Sequence, residues 1–282
     1  MDVVQFAKWR CDFHLEKKVS SLVMGILNVT PDSFYEASRH VFAETALKQA
    51  LELVSQGADI IDIGGESTRP DACKVSLQEE LDRIMPVIER LRGYTDACIS
   101  LDTYKPEVMR EGIRLGVNLI NDVKALQEDG ALEILADNRI PICLMHMYGN
   151  PQTMCNYEHE DKNVLDDVTS FLSNRVALAL QHGISKQDII VDPGIGFGKT
   201  TKQNINLIQK LDALNSLGFP VLVGLSRKRM IGELTGKPVA QRANGSLAAN
   251  IMAVLNGARI VRTHDPLATK EALLVVNSLI NQ

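Results

Sequence analysis

The chain has 282 residues, 45% hydrophobic and 23% charged, with 30 basic against 35 acidic side chains and a net charge of −5. That is apolar material for one large core or two modest ones, and the acidic balance disfavours a nucleic-acid partner, whose phosphates demand concentrated positive charge. No apolar run approaches the roughly 20 residues of a membrane span, and the charged stretch Met1 to Val19 does not resemble a signal peptide. Five widely spaced cysteines, Cys11, Cys73, Cys98, Cys143 and Cys155, form no CxxC pair; reduced thiols and a cytoplasmic location are the expectation.

After an N-terminal extension over residues 1–20, an apolar run from Leu22 to Leu27 stops at Asn28-Val29-Thr30-Pro31-Asp32-Ser33. Glu44 to Gln56 has helical spacing and closes at Gly57. Ile60-Ile61-Asp62-Ile63 reads as a strand running into Gly64-Gly65-Glu66-Ser67-Thr68-Arg69-Pro70, and Ser76 with Glu79 forms a capping box for a helix to about Arg92. A strand over Ala97 to Leu101 ends at Asp102-Thr103, a helix follows from Lys105 to Leu115, and Val117 to Ile120 is a strand ending at Asn121-Asp122. The pattern continues with a helix over Ala131 to Asp137, a strand to Met145 ending at His146, and a long amphipathic helix from Asp161 to Gln181.

The strand Ile189-Ile190-Val191 then stops at Asp192, followed by Pro193-Gly194-Ile195-Gly196-Phe197-Gly198-Lys199. An acid at the end of a buried strand is costly without a partner, and the glycines let backbone and Phe197 approach one. This turn is no Walker A loop, because Pro193 stands where its first glycine belongs, and a dinucleotide fingerprint fails because its third glycine falls on Lys199. A helix over Asn204 to Leu214, a strand over Pro220 to Val223 ending at Gly224-Leu225-Ser226-Arg227-Lys228-Arg229, a helix over Ser246 to Leu255, a strand over Arg259 to Val261 ending at Arg262-Thr263-His264-Asp265, and a helix over Ala268 to Ile280 complete the order.

Eight strand-then-helix units predict a single-domain α/β fold over residues 21–282, a closed (β/α)8 TIM barrel, with an open doubly wound sheet as the alternative. The loops after barrel strands share one face. Asn28, Asp102, Asn121, Asp192, Lys228, Arg262 and His264 are therefore expected around one cavity. Two carboxylates also suit a glycosidase, but a chain with 5% aromatic residues and its one tryptophan at Trp9 offers no aromatic cleft for a sugar. Acids with an amide suit the donor edge of a flat heterocycle, while Thr68, Arg69, Arg262 and His264 suit phosphate oxygens. Singly, each residue has a plainer reading: Asp102 or Asn121 as a helix cap, Lys228 as a solvated cation, Met145 and Phe197 as core, His146 as structural.

Four motifs together carry a resemblance: Met24 to Phe34, Gly64 to Pro70, Asp192 to Lys199, and Ser226-Arg227-Lys228. In that order they resemble the dihydropteroate synthase family, from about Leu22 onward. The resemblance implies a TIM barrel, usually homodimeric, that joins (7,8-dihydropterin-6-yl)methyl diphosphate to 4-aminobenzoate with Mg²⁺ and releases diphosphate, in folate biosynthesis. It implies that Asp102, Asn121, Met145, Asp192, Gly224 and Lys228 form the pterin pocket. It assigns the diphosphate to Asn28, Thr68, Arg69, Arg262 and His264, the metal to Asn28, and the aminobenzoate to Thr68, Pro70, Phe197 and Lys228. Asp102, Lys228 and Asp192 are the implied catalytic residues, acting on a pterin cation formed as diphosphate departs. The chain departs from the family pattern at Tyr35-Glu36-Ala37-Ser38-Arg39, where a glycine-rich turn is usual, and at Arg229, where a serine is usual. Two rivals share the pocket residues: a pterin-binding domain of a corrinoid-dependent methyltransferase, and a non-catalytic pterin-binding protein.

Overall fold

Short β-branched runs that are apolar on both sides cannot stand at a water-facing sheet, and here they pair in parallel beneath a coat of helices. The structure is a computed structural model that describes residues 1–15, 17–30, 39–67, 74–150 and 163–280, the side chains of 39–42 and 280 excepted. In chain order it contains α1 (Val3–His14), β1 (Leu22–Asn28), α2 (Arg39–Ser55), β2 (Ile60–Gly64), α3 (Leu77–Arg92), β3 (Cys98–Asp102) and α4 (Pro106–Arg114). These are followed by β4 (Leu119–Asp122), α5 (Ala131–Asn138), β5 (Ile142–Met145), α6 (Val164–Gln181), β6 (Ile189–Asp192) and α7 (Thr201–Gln209). The last elements are β7 (Leu222–Gly224), α8 (Arg229–Thr235), α9 (Ala243–Leu255), β8 (Ile260–Thr263) and α10 (Pro266–Ile280).

The strands run in the order β6-β5-β4-β3-β2-β1-β8-β7, all neighbours parallel. Val191 and Val221 bridge the two ends, where the Val191 N–H donates to the Pro220 carbonyl at 3.0 Å. The sheet is thus an eight-stranded barrel, closed between β6 and β7 by that narrow contact, and the open-sheet alternative is set aside.

Strand parity divides the side chains. One parity points outward: Val23 and Leu27, Ile61 and Ile63, Ile99 and Leu101, Ile120, Leu144, Val191, Val223 and Val261 pack with the helices in one large cluster. The other parity fills the barrel. Its lower layer is apolar, with Leu22, Met24, Ile60, Cys98, Leu119, Cys143, Ile190, Leu222 and Ile260 in a separate cluster. Its upper layer is polar, because two residues further along the strands the same face carries Asp62, Ser100 and then Asp102, Asn121, Asp192 and Arg262. The chemistry therefore begins where the apolar filling ends.

The segment 1–20 contributes to that filling. Asp2 and Gln5 form a capping box that starts α1, a signal the sequence reading did not use. Phe6 and Trp9 of α1 join the lower barrel layer, and the Trp9 Nε1–H donates to the Ser20 carbonyl at 2.8 Å. Outside, Arg10 pairs with Asp188 just before β6. Trp9→Ala is expected to cost about 3–5 kcal/mol in urea unfolding, the usual loss for a truncated buried aromatic; a loss under about 1 kcal/mol would show that the barrel closes without this plug.

Two departures from the expected boundaries lie near the active end. The helix predicted over Asn204 to Leu214 begins at Thr201, capped by Thr200 with Gln203, and gives way to a 3-10 segment at Leu211–Leu217. The short α8 follows Lys228 directly and stops at Gly236 in the left-handed region, φ 68°. The capping box of Ser76 with Glu79 starts α3 as predicted.

Candidate active site

The strand ends open into a cavity of about 530 Å³ whose walls include Asn28, Asp102, Asn121, Met145, Asp192, Phe197, Gly224, Lys228, Arg262 and His264. All the candidate residues within the described segments thus meet in one place. Thr68, Arg69 and Pro70 lie outside the described residues, as does the unusual first loop at 31–38.

Asp102 and Asp192 end β3 and β6, and Asn121 lies in β4 in register with Asp102. Burial pushes the Asp102 carboxyl up to about 7 against the opposing pull of the Arg262 guanidinium. Asp192 is also raised by burial, while the Gly194 N–H it accepts at 2.7 Å acts the other way. Arg262 is the hub. Its Nε donates to Asp62 Oδ2 at 2.5 Å and its Nη2 to Asp102 Oδ2 at 2.7 Å. The same Asp62 oxygen accepts from Asn121 Nδ2 at 3.2 Å. The expectation placed Arg262 with a phosphate alone; two of its nitrogens are in fact engaged by carboxylates of the barrel.

The turn after β6 continues the cavity wall from Asp192. Gly194 takes φ 66°, and a β-carbon there would lie 1.8 Å from the His146 carbonyl oxygen, so only glycine fits. Lys199 is buried beneath the turn, where its ammonium donates to the carbonyls of Gly194 at 2.8 Å, Phe197 at 3.2 Å and His146 at 3.3 Å. The lysine that imitated a phosphate-loop residue therefore ties the turn together. Lys228 donates to the Ile195 carbonyl and sits 4.2 Å over the Phe197 ring. Burial lowers its ammonium to about 8, with Asp192 opposing. Arg227 precedes it at φ 58°, a strained setting for a non-glycine residue. It is held by an N–H bond to Ser246 Oγ and an ion pair to Asp265, each 2.9 Å.

Met145 and Phe197 pack with Tyr104, Val123 and Met147 in a small apolar cluster at the cavity rather than in the main core. His146 is structural as expected: it is buried, its ring meets Tyr148 and Phe171 edge-on at 4.8 and 5.1 Å, and burial drops it to about 3. His264 contacts Ser226 Oγ through Nδ1 at 2.9 Å. Arg229 borders the cavity with a mostly exposed side chain, 3.2 Å from Glu233. Among the described residues no cluster of three or more His, Cys, Asp or Glu side chains is arranged to hold a metal. The exposed Asn28 at the end of β1 offers a single hard oxygen, a donor set that fits an ion carried mainly by substrate phosphate and water.

Sequence reasoning missed Asp62, Lys199 and the group under the second loop, where Lys105 links Glu66, at 2.5 Å, to Glu80. The signal for Asp62 was parity: it lies two residues before the strand end, on the inward face of an otherwise apolar strand.

Residues 24–264 match the family of pterin-binding enzymes. The chain belongs to the dihydropteroate synthase family. The Haemophilus influenzae dihydropteroate synthase is 48% identical over 260 residues, 92% of this chain and 94% of that protein. The Escherichia coli K12 dihydropteroate synthase is 45% identical over 259 residues, 92% of each. Among solved structures, a dihydropteroate synthase of Xanthomonas albilineans with 4-aminobenzoic acid superposes with a TM-score of 0.87 at 48% identity, covering 93% of both chains. A complex of the Xanthomonas albilineans enzyme with 7,8-dihydropteroate gives 0.84 at 45% identity, covering 93% of this chain and 94% of the other. The Yersinia pestis enzyme with a sulfonamide drug complex gives 0.88 at 44% identity, covering 93% and 95%. Members of the family are transferases of folate biosynthesis, and this chain carries the family's barrel.

Proposed function

We infer that the cavity joins (7,8-dihydropterin-6-yl)methyl diphosphate to 4-aminobenzoate, forming 7,8-dihydropteroate and diphosphate. The observation that carries this reading is the single cavity lined both by acceptors, Asp102, Asn121 and Asp192, and by the cations Lys228 and Arg262, with the His264 imidazole at its edge. Its size lies in the range of small-ligand sites. The acceptors suit the amino and ring N–H edge of a pterin, and the Lys228 ammonium suits its carbonyl. Met145, Gly224 and the Phe197 ring supply flat apolar walls. Asn28, Thr68, Arg69 and His264, with the remaining Nη1 of Arg262, would take the diphosphate; Thr68, Pro70, Phe197 and Lys228 would border the aminobenzoate.

The reaction on this reading is dissociative. The bond from the pterin methylene carbon to the diphosphate oxygen breaks with its electron pair leaving on diphosphate. The aromatic amine then gives its lone pair to that carbon and loses a proton. Asp102, buried beside the ring, stabilises the positive charge in between, and no protein nucleophile is needed. Asn28 is the protein group suited to hold Mg²⁺, which when bound neutralises charge on the departing diphosphate.

The protein on this reading is cytoplasmic and homodimeric. No helix among the described residues is long and apolar enough to cross a membrane. The exposed Met252 and Leu255 of α9 with Leu274 and Val275 of α10 are the apolar surface that favours a second copy.

The test is Mg²⁺-dependent diphosphate release from the pterin diphosphate with and without 4-aminobenzoate. Release coupled to pteroate formation is expected. Tight pterin binding without turnover would instead place the chain with non-catalytic pterin binders, and turnover with a methyl donor would favour the methyltransferase rival.

A further inference from the structure

We propose that Asp62 is a positioning residue for pterin recognition, holding Asn121 and Arg262 in their working orientations from beneath the pocket; this rests on reading the cavity as the pterin site. Asp62 is fully buried on β2, facing into the barrel directly above the apolar layer. Its Oδ2 receives both the Arg262 Nε, at 2.5 Å, and the Asn121 Nδ2, at 3.2 Å. Its Oδ1 is buried with no hydrogen-bond partner among the described residues. A carboxylate in such a place is a poor device for stability, since a buried ion pair rarely outweighs its desolvation and an unsatisfied oxygen adds to the cost. Ser100, its register partner on β3, is likewise buried, its hydroxyl without a partner among the described residues, and gives it no support.

What the carboxylate does accomplish is orientation. An ionised carboxylate only accepts, so the Asn121 side chain must turn its nitrogen down toward Asp62, and its oxygen is left for the cavity. Position 121 is then an acceptor, matched to a ring edge made of donors and mismatched to a ring that presents a carbonyl there. The same carboxylate takes Arg262 by Nε, which sets the guanidinium plane so that Nη2 reaches Asp102. One residue that touches no ligand thus governs two that line the pocket. Asp62→Asn removes this rule, because an amide can donate to Asn121 and let that side chain flip.

The experiment titrates 6-hydroxymethyl-7,8-dihydropterin, and separately 4-aminobenzoate, into the full chain by calorimetry. Wild type, Asp62→Asn, Asn121→Ala and the double variant are compared. Asp62→Asn is expected to weaken pterin binding about 10- to 100-fold, the range for a recognition group turned the wrong way. In the Asn121→Ala background the same change is expected to cost at least about fivefold less, since part of its effect passes through Asn121. Pterin affinity within about twofold of wild type in a folded Asp62→Asn variant, or strictly additive losses, would overturn the proposal. If Asp62→Asn does not fold, Asp62→Ser carries the same cycle. Failure of the wild type to bind the pterin would instead sink the reading of the cavity, and the proposal with it.

Discussion

Asp102→Asn is expected to lower kcat/KM for the pterin diphosphate about 10²- to 10³-fold, the size of effect seen when a preorganised charge is removed from a transition state. The side chain changes little in shape, so the pocket wall survives and the loss falls on charge. Arg262 already contacts Asp102 at 2.7 Å, but that guanidinium is shared with Asp62. Two inward carboxylates, Asp62 and Asp102, thus share one guanidinium, a local surplus of one negative charge. On the dissociative reading that surplus is the negative field that meets the pterin cation, and the substitution cancels it. On that reading Asp102→Asn should depress kcat more than pterin affinity, because the ring would be a cation only after diphosphate leaves. An equal rise in KM with kcat preserved would show that Asp102 only binds the ring. Loss of activity with single-turnover diphosphate release intact would shift its role to the amine-attack step.

The second large effect is on pH. The free protein's kcat/KM should fall below about pH 7 as Asp102 takes up a proton, and above about pH 8 as Lys228 loses one. Both displacements arise chiefly from burial: a carboxylate raised, an ammonium lowered, each toward neutrality. For Asp102 the raised value means that the fold is favoured while the group is protonated, and that this contribution disappears as pH rises through about 7. The pocket thus spends stability to keep its carboxylate ionised at working pH. Lys228→Met should lower kcat/KM about 10²-fold, abolish the alkaline limb and leave the acid limb in place. An alkaline limb that persists in Lys228→Met would assign that titration to another group.

Much of this was legible in the chain. Apolar strands that each stop at a polar residue, separated by helices closed with glycine, specify a parallel sheet coated with helices and its active end. Asp102, Asn121, Asp192, Lys228, Arg262 and His264 were identified from those stops and do surround one cavity. Their motifs also carried the family, since four such runs in fixed order rarely coincide.

The residues that organise the site were less visible, for a physical reason. Asp62 looked like part of a strand, because a sequence gives parity but not the partner across the barrel that makes parity matter. Lys199 imitated a phosphate lysine, and only the path of the turn brings three carbonyls to its ammonium. Arg262 lies 200 residues from Asp62 and 160 from Asp102, so no local pattern could show that one guanidinium serves both. Nor did the first 20 residues announce that Phe6 and Trp9 close the barrel floor. The sequence by itself determined the fold class, the active end and the chemical types gathered there, because hydrophobic period and strand termination are local properties. The tertiary structure decided which charges pair, which amide face meets the ligand and what seals the barrel, because those depend on contacts that exist only once the eight strands have closed.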